Sequence, residues 1–270
     1  MASLRGPVST GRQVSFSDDF VRWTVPVTIL TAQHELESLY NNTGFDYGSQ
    51  YLGFMTHFDK GADEQSQSLK LLSSRDAESW MRPNFNGESL IPTGGTDSWD
   101  RFQIILTGTA PIRVGDLLYI YYRGTSRRHN KVAKEYNADT DRDQDKYSGA
   151  DSGEPWMGMH GMAIGLATLR LDGVASVCAS YDSGALTTVA FSVARSAAGS
   201  ELRLNAKADY GSITVELLAT ESDESSAVQA DGTDLAVGWG AQTALPDGVA
   251  FRLRFELRNA RLFSYRALAS

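Results

Sequence analysis

The sequence predicts an all-β protein in two parts, a propeller-type array followed by a β-sandwich. Three observations carry that reading: a turn signature that recurs at a fixed distance, short β-branched and aromatic runs between turn residues, and a late segment that alternates apolar and polar residues. Convincing helical periodicity is scarce along the chain.

The recurring signature comes first. Ser17-Asp18-Asp19-Phe20-Val21-Arg22-Trp23-Thr24-Val25-Pro26 returns 57 positions later as Ser74-Arg75-Asp76-Ala77-Glu78-Ser79-Trp80-Met81-Arg82-Pro83. The shared frame is Ser-x-Asp-x3-Trp-x2-Pro. Ser and Asp close a turn by bonding side chain to backbone, Trp packs between adjacent sheets, and Pro ends a strand because it has no N–H. A turn-and-Trp signature at a period of roughly 40 to 60 residues suggests propeller blades. Trp23 and Trp80 are accordingly expected in the core.

The strand signals follow in order. Tyr51-Leu52-Gly53-Phe54-Met55, Phe102-Gln103-Ile104-Ile105-Leu106 and Leu117-Leu118-Tyr119-Ile120-Tyr121-Tyr122 are short runs bounded by turn residues, and Val114-Gly115-Asp116 reads as a hairpin turn. Their continuous apolarity suits strands buried on both faces. Residues 124–160 interrupt the pattern as a long polar excursion. Strand and turn resume with Ile164-Gly165-Leu166-Ala167-Thr168-Leu169-Arg170-Leu171-Asp172-Gly173. Beyond it, Leu186-Thr187-Thr188-Val189, Glu201-Leu202-Arg203-Leu204-Asn205-Ala206 and Ser212-Ile213-Thr214-Val215-Glu216-Leu217-Leu218 precede Ala250-Phe251-Arg252-Leu253-Arg254-Phe255-Glu256-Leu257. The last alternates almost perfectly, as a half-buried antiparallel strand does, and several such strands read as a sandwich. The expected division is a partial propeller over 1–172 and a β-sandwich over 173–270.

Composition narrows the function. At 270 residues, with 41% hydrophobic and 21% charged residues, the chain has enough length for well-buried cores. A formal net charge of -8 argues against nucleic acid, because no basic stripe is present to neutralise phosphates. Neutral polar ligands such as sugars remain compatible. The single cysteine, Cys178, excludes an intrachain disulfide and a zinc–thiolate cluster. No apolar run is long enough to span a bilayer, so no membrane partner is expected. The first residues carry no apolar leader, which makes a cytoplasmic location the default expectation.

With both parts in view, the chain resembles the glycoside hydrolase family 32 and 43 architecture, a five-bladed β-propeller joined to a C-terminal β-sandwich. The residues that carry the resemblance are 17–23, Tyr51-Leu52-Gly53, Ser74-Arg75-Asp76, Trp99-Asp100 and Leu118-Tyr119-Ile120-Tyr121-Tyr122-Arg123-Gly124. In the second part they are 164–168, Asp172-Gly173 and 251–265. The individual motifs are short; their order and spacing carry the weight. Against five blades, the stretch ahead of the sandwich is short by about two, and the resembled families keep a base or nucleophile aspartate in those blades. A truncated propeller leaves strand edges and an apolar flank to be covered, so a homo-oligomer is expected.

Glycoside hydrolysis needs two carboxyl groups across the scissile bond, one protonated and one ionised. Glu37 and Asp100 each lie just before an expected inner strand, where side chains would converge on a propeller axis. By resemblance Glu37 is the general acid; Asp100 is the second carboxylate, as base or as a group orienting the sugar. As plain structure, Glu37 would be a solvated loop residue and Asp100 a turn cap. Trp99, Tyr122, Arg123 and His129 could form a sugar platform of aromatic faces and hydrogen-bond donors. Asp46, between Phe45 and Tyr47, is a further candidate facing the axis, with a turn role as its alternative.

No cofactor or metal is expected. The acidic run Asp139, Asp141, Asp143, Asp145 has Gln144 and Ala150 where a hand-type calcium loop needs Gly and Glu, and reads as a solvated loop. His34, His57 and His160 lack metal-ligand spacing. The leading function is therefore hydrolysis of a neutral glycoside. Non-catalytic carbohydrate binding and a purely structural, assembling β protein are the alternatives from other classes.

Overall fold

The computed structural model describes residues 2–5, 11–59, 66–83, 88–126, 162–194, 199–218, 222–239 and 244–269. Among these residues every regular element is a strand and no α-helix occurs. The chain divides into two compact units, one of residues 1–114 with 118–168, the other of residues 115–117 with 169–270.

In the first unit, β1 (Ala2–Arg5), β2 (Gly11–Ser15) and β3 (Val27–Thr31) form a three-stranded antiparallel sheet. Next come β4 (Glu37–Tyr47), β5 (Gln50–Asp59), β6 (Gln67–Ser74) and β7 (Trp80–Met81), in which β5, β6 and β7 each run antiparallel to the one before. Beyond them are β8 (Gln103–Leu106), β9 (Ile112–Val114), β10 (Leu117–Thr125) and β11 (Met162–Arg170). These eight strands make one sheet with the order β11-β10-β8-β6-β5-β4, in which β7 pairs with β6 and β9 with β10. β6 and β8 meet in parallel through one residue pair, Gln67 and Gln103. The described strands close no propeller ring.

The repeated frame folds twice into the same hairpin. In the first copy Asp19 Oδ1 accepts from the N–H groups of Val21 and Arg22, both at 2.8 Å, and from Ser17 Oγ at 3.2 Å. In the second, Asp76 Oδ1 accepts from Glu78 N (2.8 Å), Ser79 N (2.6 Å) and Ser74 Oγ (3.0 Å). Each Trp indole N–H donates to the carbonyl three residues earlier, Trp23 to Phe20 at 3.3 Å and Trp80 to Ala77 at 2.8 Å. Those two carbonyl residues both sit in the left-handed region, at φ 59° and 62°, an unusual conformation for residues with a Cβ.

The two tryptophans nonetheless differ. Trp80 is half-buried and packs on the cluster of Leu30, Leu39, Met55 and Leu72. Trp23 is 40% exposed and meets the edge of Phe20, so the expectation of a core Trp fails for the first copy. A backbone detail accounts for Trp80: a Cβ on Gly53 would lie 2.7 Å from both the Trp80 ring and the Thr43 carbonyl oxygen, so only Gly lets the indole come this close to β5. Pro26 also departs from expectation, since it immediately precedes β3 rather than ending a strand.

Burial separates the apolar runs. In β5 the five consecutive residues 52–56 are buried, which fits a strand covered on both faces. In β10 burial alternates: Leu118, Ile120 and Tyr122 point inward while Leu117 and Tyr121 are exposed. The two-face expectation therefore fails there. Continuous apolarity in β10 reflects tyrosines, whose polar tips tolerate water, on the outer side.

The second unit holds β12 (Val177–Ala179), β13 (Gly184–Thr187), β14 (Ser200–Lys207), β15 (Ser212–Leu218), β16 (Ser222–Glu224), β17 (Asp231–Ala236), β18 (Arg252–Arg258) and β19 (Ala260–Ala269). They form two four-stranded sheets, β12-β19-β14-β17 and β13-β18-β15-β16. Leu253, Phe255 and Leu257 of β18 are buried and Arg252, Arg254, Glu256 and Arg258 are exposed, the alternation visible in the sequence. Side chains from both sheets share one core, among them Leu202 and Leu204 of β14, Leu262 of β19, Val215 of β15 and Phe255 of β18. Arg170 anchors the chain's entry to this unit by donating to Asn205 Oδ1 (2.6 Å), the Ala206 carbonyl (3.1 Å) and the Asp231 carboxylate.

Candidate functional site

Among the described residues of the first unit two carboxylates are buried, Glu37 at 2% and Asp100 at 8% exposure. The register puts both at one end of one sheet. A single row of paired residues crosses it: Ser38 to Phe58, Phe58 to Gln67, Gln67 to Gln103 and Gln103 to Thr125. Glu37 stands beside that row as the first residue of β4, and Asp100 lies in the turn just ahead of β8. β5 and β6 stand between β4 and β8 in the pairing order, yet β4 and β8 also come within 8 Å between Cα atoms.

Glu37 is an ion-pair node. Its Oε1 accepts from Arg82 Nη1 at 2.6 Å and lies 3.2 Å from His57 Nε2; its Oε2 accepts from the Gln33 N–H at 2.5 Å. Arg82 Nη2 donates to the Thr31 carbonyl at 2.6 Å, so one guanidinium links the end of β3 to the start of β4. Burial pushes the His57 imidazole below its ordinary range, against the pull of Glu37, and Lys70 and Arg82 add to the fall. Burial likewise lowers Lys70, and Glu37 opposes it.

Asp100 has a different set of partners. Its Oδ2 accepts from Tyr122 Oη at 2.7 Å and its Oδ1 from Ser98 Oγ. The Trp99 and Tyr122 rings stack, with centroids 5.9 Å apart and planes 14° from parallel. Desolvation, the hydrogen bond to Asp100 and the charge of that carboxylate push the Tyr122 phenol up to about 12. The phenol is therefore a fixed donor at neutral pH.

The structure thus brings Trp99, Asp100 and Tyr122 together, while Glu37 has its own partners in Arg82, His57 and Gln33. Asp46 lies exposed in β4, paired with Tyr51, and Arg123 is exposed in β10. His129 lies outside the described residues, as do His160 and the acidic run 139–145. Sequence reasoning missed Arg82, His57 and Ser98. Arg82 had a readable signal: within the repeated frame it stands where the first copy has Val25, a charge replacing an apolar residue at a matched position.

No family model matches the chain, and none of the curated proteins matches it. Among solved structures, one described as a glycoside hydrolase is similar with a TM-score of 0.40 and 14% identity, over 62% of this chain and 39% of its own length. A second glycoside hydrolase is similar at 0.31 and 10%, over 98% of this chain and 69% of the other. A third is a glycoside hydrolase family 43 arabinoxylan arabinofuranohydrolase from Bacillus subtilis, in complex with cellotetraose, at 0.22 and 8%, over 92% and 56%. The chain spans about two fifths of the first of these structures. Its structural neighbours are glycoside hydrolases; a likeness this remote carries no chemistry with it.

Proposed function

We propose that this chain acts on neutral glycosides as a glycosidase-like hydrolase, built as a partial propeller followed by a β-sandwich, with Glu37 as general acid and Asp100 as the second carboxylate. The observation that supports this reading is the placement of two buried carboxylates at one end of one sheet. Trp99 and Tyr122 beside Asp100 offer a sugar ring an aromatic face. Donation by Glu37 to a substrate requires Arg82 to swing away, because its guanidinium occupies Oε1.

That same engagement of Glu37 favours a second reading, non-catalytic glycan binding on a glycosidase-like scaffold. A screen against aryl xylosides, galactosides, glucosides, arabinosides and fucosides, with Glu37→Gln and Asp100→Asn alongside, separates the two. Turnover abolished by either substitution supports hydrolysis; saturable glycan binding by a folded protein with no turnover supports the second reading. Self-association belongs to the same proposal, since Val21, Val25 and Val27 are 60–83% exposed. A concentration-independent monomer mass in solution would overturn that part.

A further inference from the structure

Three connections between the two sheets of the second unit meet at one end of it. They are residues 180–183 between β12 and β13, residues 208–211 between β14 and β15, and Asn259 between β18 and β19. Asn259, at φ 44°, holds the other two together: its backbone N–H donates to the Ser180 carbonyl and its Nδ2 to the Tyr210 carbonyl, both at 2.7 Å. Gly211 permits the approach, because a Cβ there would run into the carbonyl oxygens of Arg258 and Asn259.

On this tip stand two of the most exposed aromatic side chains among the described residues, Tyr181 at 71% and Tyr210 at 81%. Each has an exposed aspartate as its chain neighbour, Asp182 after Tyr181 and Asp209 before Tyr210. Scattered single apolar residues on a surface need no explanation, but two tyrosines brought to one built tip do. Tyrosine offers an apolar face at small entropic cost, and a flanking carboxylate accepts hydrogen bonds from neighbouring hydroxyls. Few ligands combine C–H faces with vicinal hydroxyl donors; a neutral saccharide does. Anionic ligands are opposed by the two aspartates and by the net charge of -8.

We infer that the tip formed by Tyr181, Asp182, Asp209, Tyr210 and Asn259 is a glycan-binding site for neutral polysaccharide chains, separate from Glu37 and Asp100 and independent of whether those residues catalyse anything. Both rings are on solvent-facing turns, so substituting them leaves the core untouched.

Native affinity electrophoresis of the full chain tests this, with soluble arabinoxylan and hydroxyethylcellulose as neutral probes and polygalacturonate as the anionic one. The expected result is retardation by at least one neutral polymer. Tyr181→Ala/Tyr210→Ala should weaken it at least ~10-fold, about 1.4 kcal/mol, with an unchanged thermal midpoint, whereas Tyr181→Phe/Tyr210→Phe should keep it within about threefold. The inference is overturned by no retardation on either neutral polymer, by equal retardation on polygalacturonate, or by Ala variants that bind as the parent.

Discussion

Asp19 and Asp76 lie 57 residues apart in the chain and do the same thing: one carboxylate oxygen of each caps the two N–H groups that follow, positions +2 and +3. The bonds from Ser79 and then Glu78 hold the Asp76 carboxyl at about 2, below its ordinary 3.8. Its contribution to stability is therefore complete above 3.8 and is lost as pH falls toward about 2. Asp76→Ala should lower the thermal midpoint at neutral pH and remove part of the acid limb of the midpoint-versus-pH curve. Asp19→Ala should cost less, because the Trp it helps to place is 40% exposed.

Arg82→Met should destabilise the protein by roughly 3–5 kcal/mol, since it strands a buried Glu37 without its cation. The double variant Glu37→Gln/Arg82→Met should recover much of that loss, and urea unfolding of the four members of the cycle measures it.

His57 gives a second pH signature, opposite in origin. Its folded pKa is depressed below 6.5 by burial, so the unfolded chain takes up the proton first. Stability is full above about 6.5 and falls as pH drops below it. His57→Gln should flatten that decline between neutral and mildly acidic pH in chemical denaturation.

Tyr122→Phe removes one of the two donors to a buried carboxylate and should cost about 1–3 kcal/mol. In the parent, one tyrosine should titrate near 12 when phenolate absorbance is followed, and that step should vanish in the variant.

Gly53→Ala should cost about 1–3 kcal/mol through overpacking. The carbonyl of Thr43 cannot move aside as a side chain can, so adding Trp80→Phe should restore only part of the loss. Thermal unfolding of the two variants provides the check.

Much of this architecture could be read from the residues. The Ser-x-Asp-x3-Trp frame names its own hydrogen bonds, and the alternation of 250–257 names its buried face, because both depend on neighbours in the chain. What escaped reading depends on neighbours in space. Trp23 and Trp80 sit in identical local frames, yet only Trp80 has Gly53 beneath it. Glu37 could be placed at the head of a strand, but its partners come from 20 and 45 residues away, His57 from β5 and Arg82 from beyond β7. Tyr181 and Tyr210 carry no shared motif; Asn259, distant from both in sequence, brings them to one tip.

The pair Gln67–Gln103 has a consequence for how the eight-stranded sheet assembles. Strands β4 to β7 are successive hairpins that close short stretches of chain, whereas β8 joins them from further along, through the parallel pair Gln67–Gln103 and a bond from the Leu106 N–H to Thr56 Oγ1. Local closure is fast and distant pairing is slow. The meander should therefore condense as one cooperative block, with β8 and its neighbours docking afterwards, and native-state hydrogen exchange should divide the sheet at that seam.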